Sequence, residues 1–585
     1  MGGWGSVRAI EVRAIEVRAI EVRAIEVRAI EVSVPEDTAG KGRAWRLPPG
    51  GTPAGCARLA EGRPQAARAW LKVARLAEGH GRHGRYYSSV FYRVLALVAF
   101  VAALVLGVLA ATSPARAHPG PNVVVDPPNL IGADSTPTVL VDPASPSHLV
   151  AVYRQDRPRL SGFLATSTDG GARWSTEKLP LPPGDTRAFD PDAAFGPSGT
   201  LYVVYVNLEG QRNVPANLWL VRSSNDGATL SKPQLVARGL TFQPRIAVGS
   251  DGVLHLTWVQ AETQAPRAGV PQPVAPVGVM SASSVDGGRV FGAPVAVSGA
   301  GGSAVTGAVP VAYGKGHLSI AFEQFQPAPL GLGNGGSAVS VEPYSLEVTT
   351  STDGGSSFGP AHAVRAGVTS PARFSLLLAH DPSLVAAPDG SLYLAWAARV
   401  GGEDNVLLAR SANQGTRWTP PVRVNDNPVG DGSSRSLPEV AVAPDGRVDV
   451  AFLDRRNDPL NVDAEAYLAY SYDQGRNFAN LKVSSEPFDT SIGPSFGGNL
   501  PADLGEHLGL ASYNSGARIA WADSRLGTPA TGRQDIFTAA ASIPAALDAQ
   551  RVALALGAAL ALLVSLALWL GPTLRWSRLT AGRRG

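Results

Sequence analysis

Ser167-Thr-Asp169-Gly-Gly171-Ala-Arg-Trp174 is an octapeptide of the form Ser-x-Asp-x-Gly-x-x-Trp/Phe, and the chain repeats it. Full copies run from Ser284 (with Asp286, Gly288 and Phe291), from Ser351 (Asp353, Gly355, Phe358) and from Ser471 (Asp473, Gly475, Phe478). The copy at Ser411 carries Asn413 in place of Asp, followed by Gly415 and Trp418. A degenerate copy, read from Ser224 to Ser231, keeps Ser224 and Asp226 and loses the Gly and the aromatic. Starts at 167, 224, 284, 351, 411 and 471 lie 57 to 67 residues apart, so one supersecondary unit recurs along the chain. Within the unit, Ser and Asp side chains bond nearby backbone N–H groups and close a turn. Gly supplies a positive φ, and the terminal Trp or Phe supplies apolar area to pack under a neighbouring sheet, which predicts that these aromatics are largely buried.

A second pattern precedes each octapeptide: a Pro, a short apolar strand, a Gly or Asp-Gly turn, then another strand. Asp381-Pro-Ser-Leu-Val-Ala-Ala-Pro-Asp-Gly390-Ser-Leu-Tyr-Leu-Ala-Trp396 shows it most clearly, and other copies begin near Pro137, Pro191, Pro244, Pro310, Pro438 and His507. The seventh hairpin is followed by a third strand near Asp535 to Ala541 and by no octapeptide. Asn122-Val-Val-Val125 is then expected to supply its fourth strand, closing a ring with no exposed sheet edge.

The octapeptide resembles the Asp-box of sialidase-like (BNR-repeat) β-propellers, over about residues 122 to 545. The resemblance implies an all-β propeller, seven-bladed by the hairpin count, with six blades as the alternative because sialidases of the family have six. It also implies that the boxes are fold elements remote from any pocket. The family holds a substrate carboxylate with three Arg, the first in a Phe/Tyr-Arg-Ile-Pro motif, and uses an Asp acid/base with a Tyr–Glu nucleophile pair. Here Ser135 stands where the first Arg would be, and Phe242-Gln-Pro-Arg-Ile246 has the order changed and lies in the third unit. No Tyr can be assigned as nucleophile. No nucleophile elbow, phosphate-binding loop or metal-binding His pair appears.

Composition bounds the rest. One Cys among 585 residues excludes a disulfide framework. Residues 1–93 carry 16 Lys/Arg against 9 Asp/Glu, whereas 118–550 carry 29 against 39. An acidic body argues against nucleic acid, which needs a basic footprint. Residues 1–93 begin with five Val-Arg-Ala-Ile-Glu repeats and read as a low-complexity leader. Residues 94–117 read as an export signal: an apolar core after Arg82, Arg85 and Arg93, then Ala115-Arg116-Ala117 as the cleavage site, with an uncleaved anchor as the alternative because the core is longer than usual. Residues 552–570 are an uncharged run long enough to span a bilayer, and the basic tail 571–585 places that end inside. The propeller, residues 118–545, is thereby expected outside the cell, tethered to the plasma membrane.

Function is expected on the face opposite the boxes, where connections are long and varied. Charged strand ends point there: Arg154, Asp190, Arg399, Asp454, Arg455, Asp523 and Arg525 form the candidate ligand site, with Arg forks suited to a carboxylate. The competing structural reading pairs each Arg with an Asp of its own blade. A single Asp per box cannot fill a calcium shell, so no metal and no cofactor are expected. The resulting expectation is a surface module that binds a glycan or a protein; the alternative is an exo-acting sialidase-like glycoside hydrolase.

Overall fold

The computed structural model describes residues 96–101, 103, 116–210, 213–263, 274–298, 305–325, 343–371, 382–494, 502–544 and 556–566. The five-residue repeats and the basic tail lie outside them. Among the described residues no helix is long and apolar enough to cross a membrane; the 552–570 span extends beyond those described.

Seven antiparallel sheets follow one another along the chain. They open on strands Ala133–Asp142, Ala188–Phe195, Thr241–Val248, Val305–Tyr313, Ser383–Ala386, Arg435–Val442 and Gly509–Tyr513, the first strands of blades 1 to 7. Each first strand touches the first strand of the next blade, and that of blade 7 touches that of blade 1. The sheets therefore form a closed seven-bladed ring, and the six-bladed alternative is excluded.

Second strands are sandwiched between neighbouring blades, so both faces are buried rather than alternating with solvent. Val448–Asp454 and Gly516–Asp523 are buried at every residue. At the same step of each second strand stands an aromatic: Tyr153, Tyr205, Trp258, Phe322, Trp396, Phe452 and Trp521, none more than 2% exposed. These seven rings wedge between blades, and each buries area that favours packing by about 25 cal/mol per Å².

The first strands share a second device. Thr136, Asp190, Gln243, Gly307 and Leu437 have φ of 46° to 67°. In each case the pairing register slips there, as between Phe189 and Asp192. A left-handed residue in a bulge re-aims side chains at the strand entrance. Because it recurs in five blades, it is a property of the fold and not strain peculiar to one site.

The ring is closed by non-sequential pairing. Strand Asp535–Ser542 pairs with Gly516–Asp523 on one side and with Val123–Val124 on the other, with Val123 opposite Thr538 and Val124 opposite Phe537. His118–Pro119 extend this edge opposite Ser542 and Ala541. The carboxylate of Asp126 then accepts the Ile536 N–H at 2.6 Å. The borrowed strand is thus where the hairpin count placed it.

All six octapeptides form one hydrogen-bonded turn. The Ser hydroxyl accepts the Gly N–H at 2.9 to 3.0 Å and donates to the Asp or Asn oxygen, which also accepts the N–H four residues on. Those N–H bonds, with the Ser and Asn side chains, hold the carboxyls of Asp353 and Asp473 down at about 2. The degenerate copy is in fact intact, one residue earlier than read: Ser223, Asn225, Gly227 and Leu230 fill the four positions. Asn keeps the acceptor and Leu keeps the apolar contact. The box aromatics are a correction of another kind. Trp174, Phe291, Phe358, Trp418 and Phe478 are only half-buried, at the outer ends of the core clusters.

The tighter contact belongs to the box glycines. A Cβ on Gly475 would stand 2.7 Å from Leu408 of the preceding blade, with φ at +78°. Gly475→Ala is therefore expected to cost about 2–3 kcal/mol, combining backbone strain and overpacking. Trp418→Ala, which truncates a half-exposed ring, should cost less, about 1–2 kcal/mol, below the range for fully buried aromatics. Calorimetry on both variants checks this; an unchanged melting temperature for Gly475→Ala would remove the box glycine from the account of blade spacing.

Candidate functional site

Blade 1 is the origin of the site. Its second strand, Ser145–Arg157, starts beside the box, where Ser147 accepts the Gly170 N–H at 2.8 Å, and leaves the sheet at the opposite end as Arg154-Gln-Asp156. Arg154 is fully buried, and its guanidinium meets four acids. Nε lies 2.7 Å from Asp156, Nη1 3.2 Å from Asp190 and 3.6 Å from Glu506, and Nη2 2.6 Å from Asp503. Its planar face also lies 4.6 Å from the Phe189 ring centre. Arg245 of blade 3 reaches Glu506 at 3.6 Å. One buried cluster thus ties blades 1, 2 and 3 to the connection that enters blade 7.

Among the described residues the carboxylates around Arg154 and Arg245, Asp192 included, outnumber the two guanidiniums, so the cluster carries an excess of acid. Burial, the largest influence, and the Asp503 carboxylate raise Asp156 to about 6, against the pull of Arg154. Burial likewise raises Asp190, opposed by Arg154 and Arg245. His507 beside them is held well below its ordinary value by burial and then by Arg245, so it is neutral.

Above Asp156 opens a cleft of about 490 Å³, lined by Asp156, Arg157, Arg159, Leu160, Arg187, Asn213 and the Gly493-Pro494 turn. Arg187 donates to the Gly210 carbonyl at 2.6 Å and to Asn213, and Arg157 donates to the Gly532 carbonyl. The Nε–H groups of Arg157 and Arg187 are buried without a hydrogen-bond partner. A buried donor left unmade is costly, and both of these guanidiniums, with Arg159, line the cleft.

Of the residues singled out in the sequence, Arg154 and Asp190 are brought together. The others are engaged elsewhere. Asp523 and Arg525 form a forked pair within blade 7, with Oδ2 2.6 Å from Nη2. Asp454 sits between Arg435 at 3.3 Å and Arg456 at 2.7 Å. Arg455 is buried and donates to the Thr490 hydroxyl at 3.2 Å. Arg399 is partly exposed and lies 3.9 Å from Asp404 of its own hairpin. Arg157, Arg159, Arg187 and Asp503 were not singled out. The tripeptide Arg157-Pro-Arg159, directly after a strand that ends in a charged pair, was the available signal. On the box face, Asp142, His148 and Asp226 bring their ligand atoms within 4.8 Å of one another. Asp142 there accepts the Ala144 N–H at 2.8 Å and meets His148 Nδ1 at 3.3 Å, which locks the turn.

A second group of buried acids sits at the ring closure. Burial, then the Asp535 carboxylate, raises Asp126 to about 7. Burial, then Asp126, raises Asp134. A carboxyl whose folded pKa exceeds its unfolded value of about 3.9 binds its proton more tightly in the folded state. Its stabilisation is complete below about pH 4 and is lost as pH rises through about 6 to 7. The melting temperature is therefore expected to be higher at pH 5 than at pH 8, by an amount equivalent to about 1–3 kcal/mol. Asp126→Asn should flatten the profile. A curve that rises from pH 5 to pH 8 would overturn the assignment.

No model of a known protein family matches the chain, and no curated protein matches its sequence. Solved structures show distant likenesses to it. A protein of unknown function from Dyadobacter fermentans DSM 18053 is 14% identical, with 73% of this chain and 99% of that chain covered and a TM-score of 0.41. A polysaccharide lyase of family PL25, an ulvan lyase, is 11% identical over 72% of this chain and 95% of that one, with a TM-score of 0.45. A Hadza microbial sialidase is 15% identical over 66% and 73%, with a TM-score of 0.37. Likenesses this distant say nothing about activity.

Proposed function

We propose that the chain is a surface glycan-recognition module: a sialidase-like, Asp-box propeller, exported and tethered by residues 552–570, that binds an anionic sugar in the Arg-lined cleft. The observation that supports it is the gathering of three guanidiniums, Arg157, Arg159 and Arg187, in the lining of one cleft. Guanidiniums offer planar forks to carboxylate or sulfate groups, and their fixed geometry confers specificity.

The test is binding of the full chain in detergent to an array of neutral, uronic-acid, sialylated and sulfated glycans. Acidic glycans are expected to bind, and Arg187→Ala should weaken that binding by about 1–3 kcal/mol, the range for a charge-assisted bond, without shifting the melting temperature by more than a few degrees. Equal binding by Arg187→Ala and the parent would move the ligand elsewhere.

A second reading, a glycoside hydrolase, draws on Asp156, a cleft-lining carboxyl raised to about 6 and so able to carry a proton near neutral pH. Release of fluorophore from a panel of aryl glycosides, abolished in Asp156→Asn, would favour it over binding alone.

A further inference from the structure

Two apolar helical stretches lie against each other, one described at residues 96–101 and 103 and the other at residues 556–566. The Ser565 hydroxyl donates to the Ala96 carbonyl at 2.9 Å. Seven residues further along each stretch, in opposite chain directions, come Ala103 and Ala558. Ala96, Ala103 and Ala558 are 4%, 2% and 9% exposed, whereas Leu97, Leu556, Leu560 and Leu563 are each more than 60% exposed. Small residues inside and large apolar residues outside reverse the pattern of a helix pair in water. In lipid it is the expected one, because small residues let backbones approach while Leu faces acyl chains.

The flanks agree with an antiparallel pair. Arg82, Arg85 and Arg93 precede the first apolar run and Arg575, Arg578, Arg583 and Arg584 follow the second, so both basic ends belong on the cytoplasmic side. At the other ends the propeller itself brings the chain together: His118 pairs with Ser542 and Pro119 with Ala541. Only residues 112–117 and 543–551 separate that paired edge from the two apolar runs.

We infer that residues 94–111 are not removed at Ala117 but are retained as a second membrane helix, packed antiparallel against 552–570 through Ala96, Ala103, Ala558 and Ser565. This rests on the tether proposed above and replaces the single anchor with a hairpin. The interface is internal to the chain, and its partner is the chain's own leader.

The test uses the full chain in a host that processes export signals, followed by a carbonate wash of the membranes and tryptic mapping. Trypsin cuts after Arg116, so an unprocessed chain yields a peptide that begins at Ala117, and a processed one a peptide that begins at His118. The expected result is the Ala117 peptide from washed membranes. In a Cys56→Ser background, Ala103→Cys with Ala558→Cys should form a disulfide in most molecules, and the outward pair Leu97→Cys with Leu563→Cys in few. Washed membranes that yield only the His118 peptide would overturn the helix pair and leave the tether standing. Release of the chain into the wash would overturn the tether and the pair together. The Ala117 peptide without preferential cross-linking would overturn the packing assigned here.

Discussion

Arg154→Met is expected to cost about 3–5 kcal/mol of stability, because it removes the cation from a buried cluster and leaves the acids behind. Asp156, Asp190 and Asp503 lie within 3.2 Å of this one guanidinium, and Glu506 within 3.6 Å. Methionine restores most of the volume, so the loss isolates charge from packing. The variant also carries a pH signature. Without Arg154, Asp156 and Asp190 rise further and are relieved only by protonation, so the deficit should shrink as pH falls from 8 to 5. Chemical denaturation at both pH values reads this directly. A loss equal at pH 5 and pH 8 would mean that Arg154 acts by shape alone.

Deleting His118–Asp126 from the full chain should have a comparable or larger effect, of order 4 kcal/mol from three valine side chains and the strand's hydrogen bonds. Blade 7 would lose its outermost strand, and Asp535–Ser542 would become a bare edge. Such an edge is a template for pairing with other chains, so the deletion should also promote association. Light scattering and melting measured together check it; a monomeric protein of unchanged stability would show that the ring does not depend on the borrowed strand.

Much of the fold was legible because the octapeptide constrains four positions in eight, each for a separate physical reason. Where Asn225 and Leu230 replace Asp and the aromatic, the chemistry survives but the spelling does not, and two adjacent serines moved the reading by one residue. The seven second-strand aromatics went unread for the opposite reason: Tyr205 and Trp521 sit in runs that are apolar throughout, with no alternation to single them out. Of the site, Arg154 and Asp190 were visible as charged ends of strands. Their partner Asp503 and the cleft residue Arg187 come from connections, and which connections meet is decided by how blades pack, which no local pattern records.

A ring closed by pairing has no obligatory beginning. Because His118 and Ser542 are neighbours across one ladder, a short peptide can join them, and new ends can be opened at a tight turn such as Gly401-Gly402 between strands Leu392–Val400 and Glu403–Ser411. Such a circular permutant keeps all seven sheets and converts blade 7 from a two-piece sheet into a continuous one. The order in which the blades are synthesised is therefore separable from the architecture they build.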